Sequence, residues 1–488
     1  MNREFLVNII FLVLINLLIK PFYIFGIDRT IQNTVADGEY GIYFTLFSFT
    51  YLFQILNDFG IQNFNNRNIS QSRQLIDKYF SNIMVLKVLM AIVFMAVVFL
   101  SAEVLGFERV RYQLLFLVAF NWVLTSFVFY LRSNISGLGM YRVDSILSVL
   151  DKLLLIIICS ILLWTPFVGG VFKIEWFALA QTFSLGIVAL VAFVIVYKKL
   201  KRFRFRFQPV FWLLIFKQSY PFALIIFLMT AYTRLDGVMI ERMLPEGRFE
   251  ADIYASAYRL LDASNMFAYL FAGLLLPMFS RLFKEKKGVA SLVRTSFNLI
   301  WTASVALVLA VWFFREEIMR LLYDNGNTYS GEILGYLIIS FIGIAGGYIY
   351  GTLLVAGGKL KGLNIIFVFG LLLNFTLNYY LIPHQHALGA AKATAITQLF
   401  VFVLQLLYAY RSFLLQFSWS SSLKLLTFTI TSILFTFFVQ NYLPFEWFLR
   451  FLISGIGSIG LAFIFQVLDI RAMLALRKFD HQKKNHET

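Results

Sequence analysis

Apolar runs of spanning length recur along the chain at about 5 to 27, 40 to 60, 79 to 101, 112 to 132, 146 to 165, 175 to 197, 211 to 240, 253 to 277, 291 to 314, 333 to 356, 363 to 382, 390 to 410, 422 to 442 and 446 to 467. One crossing takes about 20 apolar residues. The pattern therefore predicts an all-α polytopic membrane protein with fourteen transmembrane helices, short connections and no sizeable soluble domain. The first run has no short apolar core followed by a small-residue cleavage site, and it contains Lys20, so it is read as a retained helix and not as a signal peptide.

Composition agrees: of 488 residues, 60% are hydrophobic and 14% charged, with mean hydropathy +0.78. The net charge of +16 would suggest nucleic acid only if its location were ignored. Counted over short loops, Lys and Arg number 25 in one alternate set of gaps and 9 in the other, which predicts both termini on the cytoplasmic side. The charge is thus assigned to topology and to anionic lipid, with no nucleic-acid partner. The densest run, Lys198 to Arg206, reads as a stop signal at a membrane surface. It divides the chain into a six-helix bundle over 1–206 and a second over 207–412, followed by two helices over 413–468 and a cytoplasmic tail over 469–488. The single cysteine, Cys159, excludes an internal disulfide and is expected to pack in the core.

Two blocks of equal helix number imply an internal repeat. An offset of 211 residues lays Tyr40-Gly-Ile-Tyr43 on Ala251-Asp-Ile-Tyr254. In the second helix Tyr43, Phe47, Tyr51, Gln54 and Asp58 recur at helical spacing and share a face; in the eighth, Tyr254, Tyr258, Asp262, Asn265 and Tyr269 do the same. These polar and aromatic faces either line a central site between the halves or pack helices against each other.

Eight cations remain after the loops are counted: Lys20, Lys87, Lys152, Lys217, Arg234, Arg259, Arg294 and Lys392. Lys217, Arg294 and Lys392 are near helix ends and within reach of the headgroups. Lys87 and Lys152 divide evenly between buried site and snorkelling anchor. Lys20, Arg234 and Arg259 are deeper, where a charge faces a cavity or a partner. Lys20 shares a face with Asn16 and Tyr23, and the offset places Tyr23 on Arg234, so the first and seventh helices bring a cation to similar depth. Arg259 can pair with Asp262 three residues on, whereas Asp236, two residues from Arg234, falls on a different face. Pro21 removes a backbone hydrogen bond and predicts a kink beside Lys20, either static or part of a moving wall. Pro221 and Pro277 bend the seventh and eighth helices in the same way, and Gly343, Gly347 and Gly351 predict close helix packing.

Several chemistries are not expected. His384, His386, His481 and His486 have no cysteine or carboxylate at ligand spacing, so neither a metal site nor a cofactor is anticipated. No P-loop pattern occurs, and no long outer loop offers the acceptor site of a membrane glycosyltransferase or polymerase. The longest outer stretch, Phe314 to Glu332, reads as an amphipathic segment on the membrane surface.

The six-plus-six-plus-two arrangement and several segments carry a family resemblance. These are Asn8-Ile-Ile-Phe-Leu, Gly26-Ile-Asp-Arg-Thr30, Glu39-Tyr-Gly-Ile-Tyr43, Asn63-Phe-Asn-Asn-Arg-Asn-Ile-Ser-Gln71 and Ile253-Tyr-Ala-Ser-Ala-Tyr-Arg259. The chain resembles the bacterial Wzx-type oligosaccharide flippases, of the MOP superfamily that also holds the MATE exporters and the lipid II flippases. The resemblance implies two pseudo-symmetric bundles around a cationic cavity that carries an undecaprenyl-diphosphate-linked sugar from the cytoplasmic to the periplasmic leaflet of the inner membrane. On that footing Lys20, Arg234, Arg259 and Lys87 are expected to hold the diphosphate, with Asn16, Tyr43, Phe47, Tyr51, Gln54, Tyr254, Tyr258 and Asn265 lining the cavity. Asp58, Asp262 and Asp236 are candidates for ion coupling or resting charge balance. The expected partners are the lipid-linked anionic oligosaccharide, the bilayer and polysaccharide polymerase or chain-length machinery, with the flippase itself a monomer and no enzyme. A lipid II flippase, a MATE-like exporter of organic cations and a membrane glycosyltransferase stay open as alternatives; the basic character of the deepest charges disfavours the exporter.

Overall fold

The computed structural model describes residues 16, 18–165, 172–200, 208–416 and 418–468. The Asn8-Ile-Ile-Phe-Leu segment, most of the basic run after Leu200 and the tail over 469–488 lie outside the described residues. Among the described residues the structure is helical without strands, and eleven helices are long and apolar enough to cross a membrane. The protein is a multi-pass membrane protein. It packs as two compact units, residues 1–255 and 256–488.

In the first unit, residues 18–22 lead into a π-helical stretch Tyr23–Asp28 and a short helix α1, Arg29–Thr34. The widened turn begins two residues after Pro21, a position where the missing N–H already interrupts the ladder. Next come α2 (Glu39–Leu52), α3 (Ile55–Asp58) and α4 (Ile61–Gln71). The run at 40 to 60 is thus an interrupted helix: Phe59 and Gly60 adopt left-handed φ of 49° and 77°, which stops α3 and starts α4 in a new direction. The polar segment from Asn63 to Gln71 is helical, and its Asn65 is buried with its amide donating to Ser133 Oγ at 2.8 Å.

The longer helices of this unit are α5 (Ile76–Val104), α6 (Tyr112–Gly137), α7 (Tyr141–Trp164), α8 (Ile174–Tyr197) and α9 (Pro209–Met243). The start of α10 (Gly247–Lys284) completes it. Small residues set how closely these helices approach, because lipid supplies little driving force for packing apolar faces. A Cβ at Gly41 would meet the carbonyl of Arg248 at 2.1 Å, and one at Gly237 the ring of Phe44 at 2.7 Å, so α2 lies in close contact with both α9 and α10.

The second unit contains most of α10, then α11 (Ala290–Phe313), α12 (Arg315–Leu322), α13 (Thr328–Ala356), α14 (Leu360–Phe413), α15 (Trp419–Tyr442) and α16 (Trp447–Ile464). The amphipathic stretch after Phe314 forms α12, and α13 opens with a capping box between Asn327 and Ser330. The runs at 363 to 382 and 390 to 410 join in α14 across a kink at His386, where φ is 54° and ψ −138°.

The glycine repeat of α13 meets α14: a Cβ at Gly343 would lie 2.6 Å from the carbonyl of Gln398, and Cβ atoms at Gly347 and Gly351 3.2 and 3.5 Å from Gln405 Oε1. Gly343→Ala is expected to cost about 1–3 kcal/mol by overpacking, because backbone cannot step aside as a side chain can. A lowered melting temperature of the detergent-purified variant would show it; an unchanged one would mean that the two helices part without penalty.

Candidate functional site

Around the first helix, Asn16 and Lys20 face α7. The Asn16 amide donates to Ser148 Oγ at 3.3 Å, and Lys152 Nζ stands 4.7 Å from the centre of the Tyr23 ring. The charges that act on Lys20 are Asp151, Lys152 and Arg132. Arg132 is held by Asp144 at 2.7 Å, and Lys152 is 3.5 Å from the neighbouring Asp151. Lys20 thus belongs to a basic cluster built with α7, which the 3.6-residue period of α7 produces by bringing Ser148, Asp151 and Lys152 toward one side. The sequence reading placed Lys20 and Lys152 in separate helices and did not join them.

Arg234, half-buried on α9, lies over an aromatic wall. Its guanidinium carbon is 5.8 Å from the Phe47 ring centre and 5.7 Å from that of Tyr51. Tyr51 stacks on Trp122 of α6 at 4.5 Å, and Phe47 packs against the same indole at 5.1 Å. A cation on such faces is stabilised by their quadrupoles while its N–H edge remains directional. Trp122 is a wall residue that helix periodicity in α2 could not reveal, since it comes from another helix. The buried indole N–H of Trp122 has no hydrogen-bond acceptor among the described residues.

The α2 stripe does not act as one surface. Tyr43 is buried and accepts a hydrogen bond from Gln181 Nε2 at 2.8 Å. Gln181 belongs to a network in which Asn121 donates to the Ala178 carbonyl at 3.0 Å and Thr182 donates to Asn121 at 2.7 Å. Tyr254, its equivalent under the 211 offset, is also buried, and its hydroxyl donates to Asp236 Oδ2 at 2.8 Å. A matching pair joins α2 to the π-helical stretch, the Tyr40 hydroxyl donating to Asp28 Oδ2 at 2.8 Å. Asp28 falls one residue past the first apolar run, so its burial was not marked by that run. Gln54 follows the end of α2 and is half-buried.

At the end of α3, just before the break, Asp58 meets α5. Lys87, completely buried, donates to Asp58 Oδ1 at 2.6 Å, to Ser126 Oγ at 2.5 Å and to the Asn57 carbonyl at 3.1 Å. Ser126 donates to that same carbonyl at 2.8 Å. The end of α3 leaves carbonyls without helical partners. Lys87 and Ser126 supply them, so Lys87 is occupied in holding the helix break.

In the second unit, Arg259 and Asp262 form an ion pair at 3.8 Å along α10. Tyr258 is buried, Asn265 is half-buried and Tyr269 is exposed, with its ring 6.2 Å from that of Tyr348.

At the far end of the first unit, cations of the sequence-predicted outer gaps converge with acids. Arg111 grips Glu39 through two hydrogen bonds at 3.1 and 3.0 Å, Arg248 pairs with Glu108 at 2.5 Å, and Arg242 donates to the carbonyls of Leu105 and Gly106. The Arg248 guanidinium holds the Glu108 carboxyl below the usual carboxylate range. Asp252 adds a buttress, accepting from Gln32 Nε2 at 2.6 Å and from the Gly38 backbone N–H at 3.1 Å.

Comparison with known proteins gives a family and a fold. A family described as "Polysaccharide biosynthesis protein" matches residues 5–283. The lipid III flippase of Escherichia coli (strain K12) is 29% identical over 156 residues, 32% of this chain and 37% of that protein. The capsular polysaccharide biosynthesis protein CapF of Staphylococcus aureus is 27% identical over 205 residues, 40% of this chain and 50% of that protein. The alignments therefore span half or less of these relatives' own lengths. Among solved structures, the lipid II flippase MurJ in an inward closed conformation superposes with a TM-score of 0.74 at 14% identity, covering 96% of this chain and 100% of that one.

Proposed function

Because this chain belongs to the polysaccharide biosynthesis protein family, we propose that it is a flippase moving an undecaprenyl-diphosphate-linked oligosaccharide from the cytoplasmic to the periplasmic leaflet by alternating access, for cell-surface polysaccharide. The observation that carries this reading is the pairing of basic and aromatic groups within the bundle: Arg234 against Phe47, Tyr51 and Trp122, and Lys20 beside Lys152 and Tyr23. A diphosphate leaving water needs charge-assisted hydrogen bonds in exchange for its hydration, and sugar rings stack on aromatic faces. The polyprenyl tail stays in lipid, so only the head has to be sheltered.

We assign the diphosphate to Lys20 and Arg234. Lys87 is left out because its three donors are already directed to Asp58, Ser126 and Asn57. Arg259 stays a secondary candidate, paired with Asp262 along its own helix. Asp58 and Asp262 face cations and set the resting charge balance. Asp236, buried beneath the Tyr254 hydroxyl, is assigned to ion coupling, since exchange of a proton or sodium ion needs a carboxylate shielded from bulk water. In this reading both termini face the cytoplasm, bundles over 1–206 and 207–412 enclose the path, the inner membrane is its location and the protein works as a monomer beside the polymerase.

Proteoliposomes loaded with a fluorescent lipid-linked oligosaccharide test the proposal. Protein-dependent movement of the label to the opposite leaflet, with the glycan chemically unchanged, is the expected result. A new glycosidic bond or a longer chain in the purified reaction would instead make the protein an enzyme, and label that stays in its starting leaflet would overturn the assignment.

A further inference from the structure

A second basic site occurs in the other unit, at residues the proposed transport path does not use. Between α11, α15 and the end of α16 there is a cleft of about 910 Å³, adjoined by a smaller polar pocket of about 220 Å³. Both are lined by Arg294 of α11 and Ser421 of α15, and Lys424 stands in the smaller one. Arg294 donates to the hydroxyls of Ser418 and Ser421, and Lys424 Nζ donates to Gln466 Oε1 at 3.2 Å. Every partner of the two cations among the described residues is a neutral oxygen. No Asp or Glu stands among the lining residues of either cavity. Two positive charges on adjacent helices therefore share a concave surface rich in hydroxyl donors, with no carboxylate lining it among the described residues.

The neutral oxygens around the cations hold them in place but do not neutralise them. An anion with several oxygens would accept from the guanidinium fork, the ammonium and the serine hydroxyls together. The larger cleft also has an apolar side, formed by Phe297, Leu299, Leu406, Leu425 and Val467. A polar pocket beside an apolar wall fits an amphiphile better than a free ion.

We propose that Arg294, Lys424 and the serines at the start of α15 form a binding site for the phosphodiester headgroup of an anionic phospholipid, whose acyl chains leave along the apolar side of the larger cleft. Its occupation fixes α15 against α11, so the site acts on stability separately from cargo binding.

The test uses full-length protein in neutral phosphatidylcholine nanodiscs, with phosphatidylglycerol added stepwise and lipid retention and melting temperature recorded. Wild type is expected to retain phosphatidylglycerol and to melt higher as it is added. R294Q/K424Q is expected to bind it about thirty-fold more weakly, two cations at about 1 kcal/mol each, with tenfold per about 1.4 kcal/mol. R294K/K424R keeps both charges and is expected to retain most of the shift, which separates lost binding from a damaged fold. Equal shifts in wild type and R294Q/K424Q would overturn the proposal. So would an equal loss in K359Q/K361Q, which would reduce the effect to diffuse surface charge. Stabilisation by inorganic phosphate alone, abolished in R294Q/K424Q, would make this a free-anion site and overturn the lipid assignment.

Discussion

Arg234→Ala is expected to lower delivery of lipid-linked glycan to the outer leaflet about a hundredfold while leaving the amount of membrane protein unchanged. The guanidinium lies over Phe47 and Tyr51, and those rings stack with Trp122. Contact between a cation and a ring contributes about 1 kcal/mol, too little for its loss to unfold a bundle of this size. Two charge-assisted hydrogen bonds to a phosphate are worth about 1.5 kcal/mol each at the lower end, which is where the hundredfold comes from. Arg234→Lys keeps the charge but loses the planar fork, so its flipping rate should fall between wild type and Ala. Trp122→Ala removes the wall that supports both rings and should weaken transport without changing the net charge. The measurement is leaflet exchange in proteoliposomes, with protein quantified in the same vesicles. Normal exchange by a well-inserted Arg234→Ala protein would take Arg234 out of the cargo site.

Eleven helices long and apolar enough to span, among the described residues, were legible in the sequence because a run of apolar residues has one solution in lipid, a helix that satisfies its own backbone, whereas the exact count of fourteen was not. The 211-residue offset pairs Tyr43 with Tyr254, two buried tyrosines whose hydroxyls meet different partners, Gln181 and Asp236. The breaks within the run at 40 to 60 were not legible. The second depends on left-handed φ at Phe59 and Gly60, and a lone glycine in an apolar run does not announce that its neighbour will turn as well. The first, at Phe53 and Gln54 between α2 and α3, means that Tyr43, Phe47, Tyr51, Gln54 and Asp58 are not carried by one continuous helix, and the last of them meets Lys87. The companions of the site residues were hidden for a related reason. Trp122, Gln181 and Asp151 come from other helices, and periodicity within one helix carries no information about which face of another it meets.

Lys87→Met is expected to destabilise the protein by about 3–5 kcal/mol, the cost of leaving one member of a buried ion pair alone. Lys87 has no exposed surface, and it serves Asp58, Ser126 and the carbonyl of Asn57 at once. Removing it leaves the Asp58 charge without its cation and leaves Ser126 alone to serve that carbonyl at the end of α3. Lys87→Met with Asp58→Asn removes both charges and should recover most of the loss, because desolvating the pair offsets much of its attraction. The double-mutant cycle also separates two roles that buried lysines can have. If Lys87 only holds the helix break, the double variant regains leaflet exchange along with its melting temperature. If Lys87 instead contacts the diphosphate, the double variant melts normally and still fails to move cargo, because no ammonium remains to replace the lost hydration. The closed geometry around Lys87 favours the first outcome. A stable but inactive double variant would restore Lys87 to the diphosphate site and make the pair with Asp58 a resting state that cargo opens.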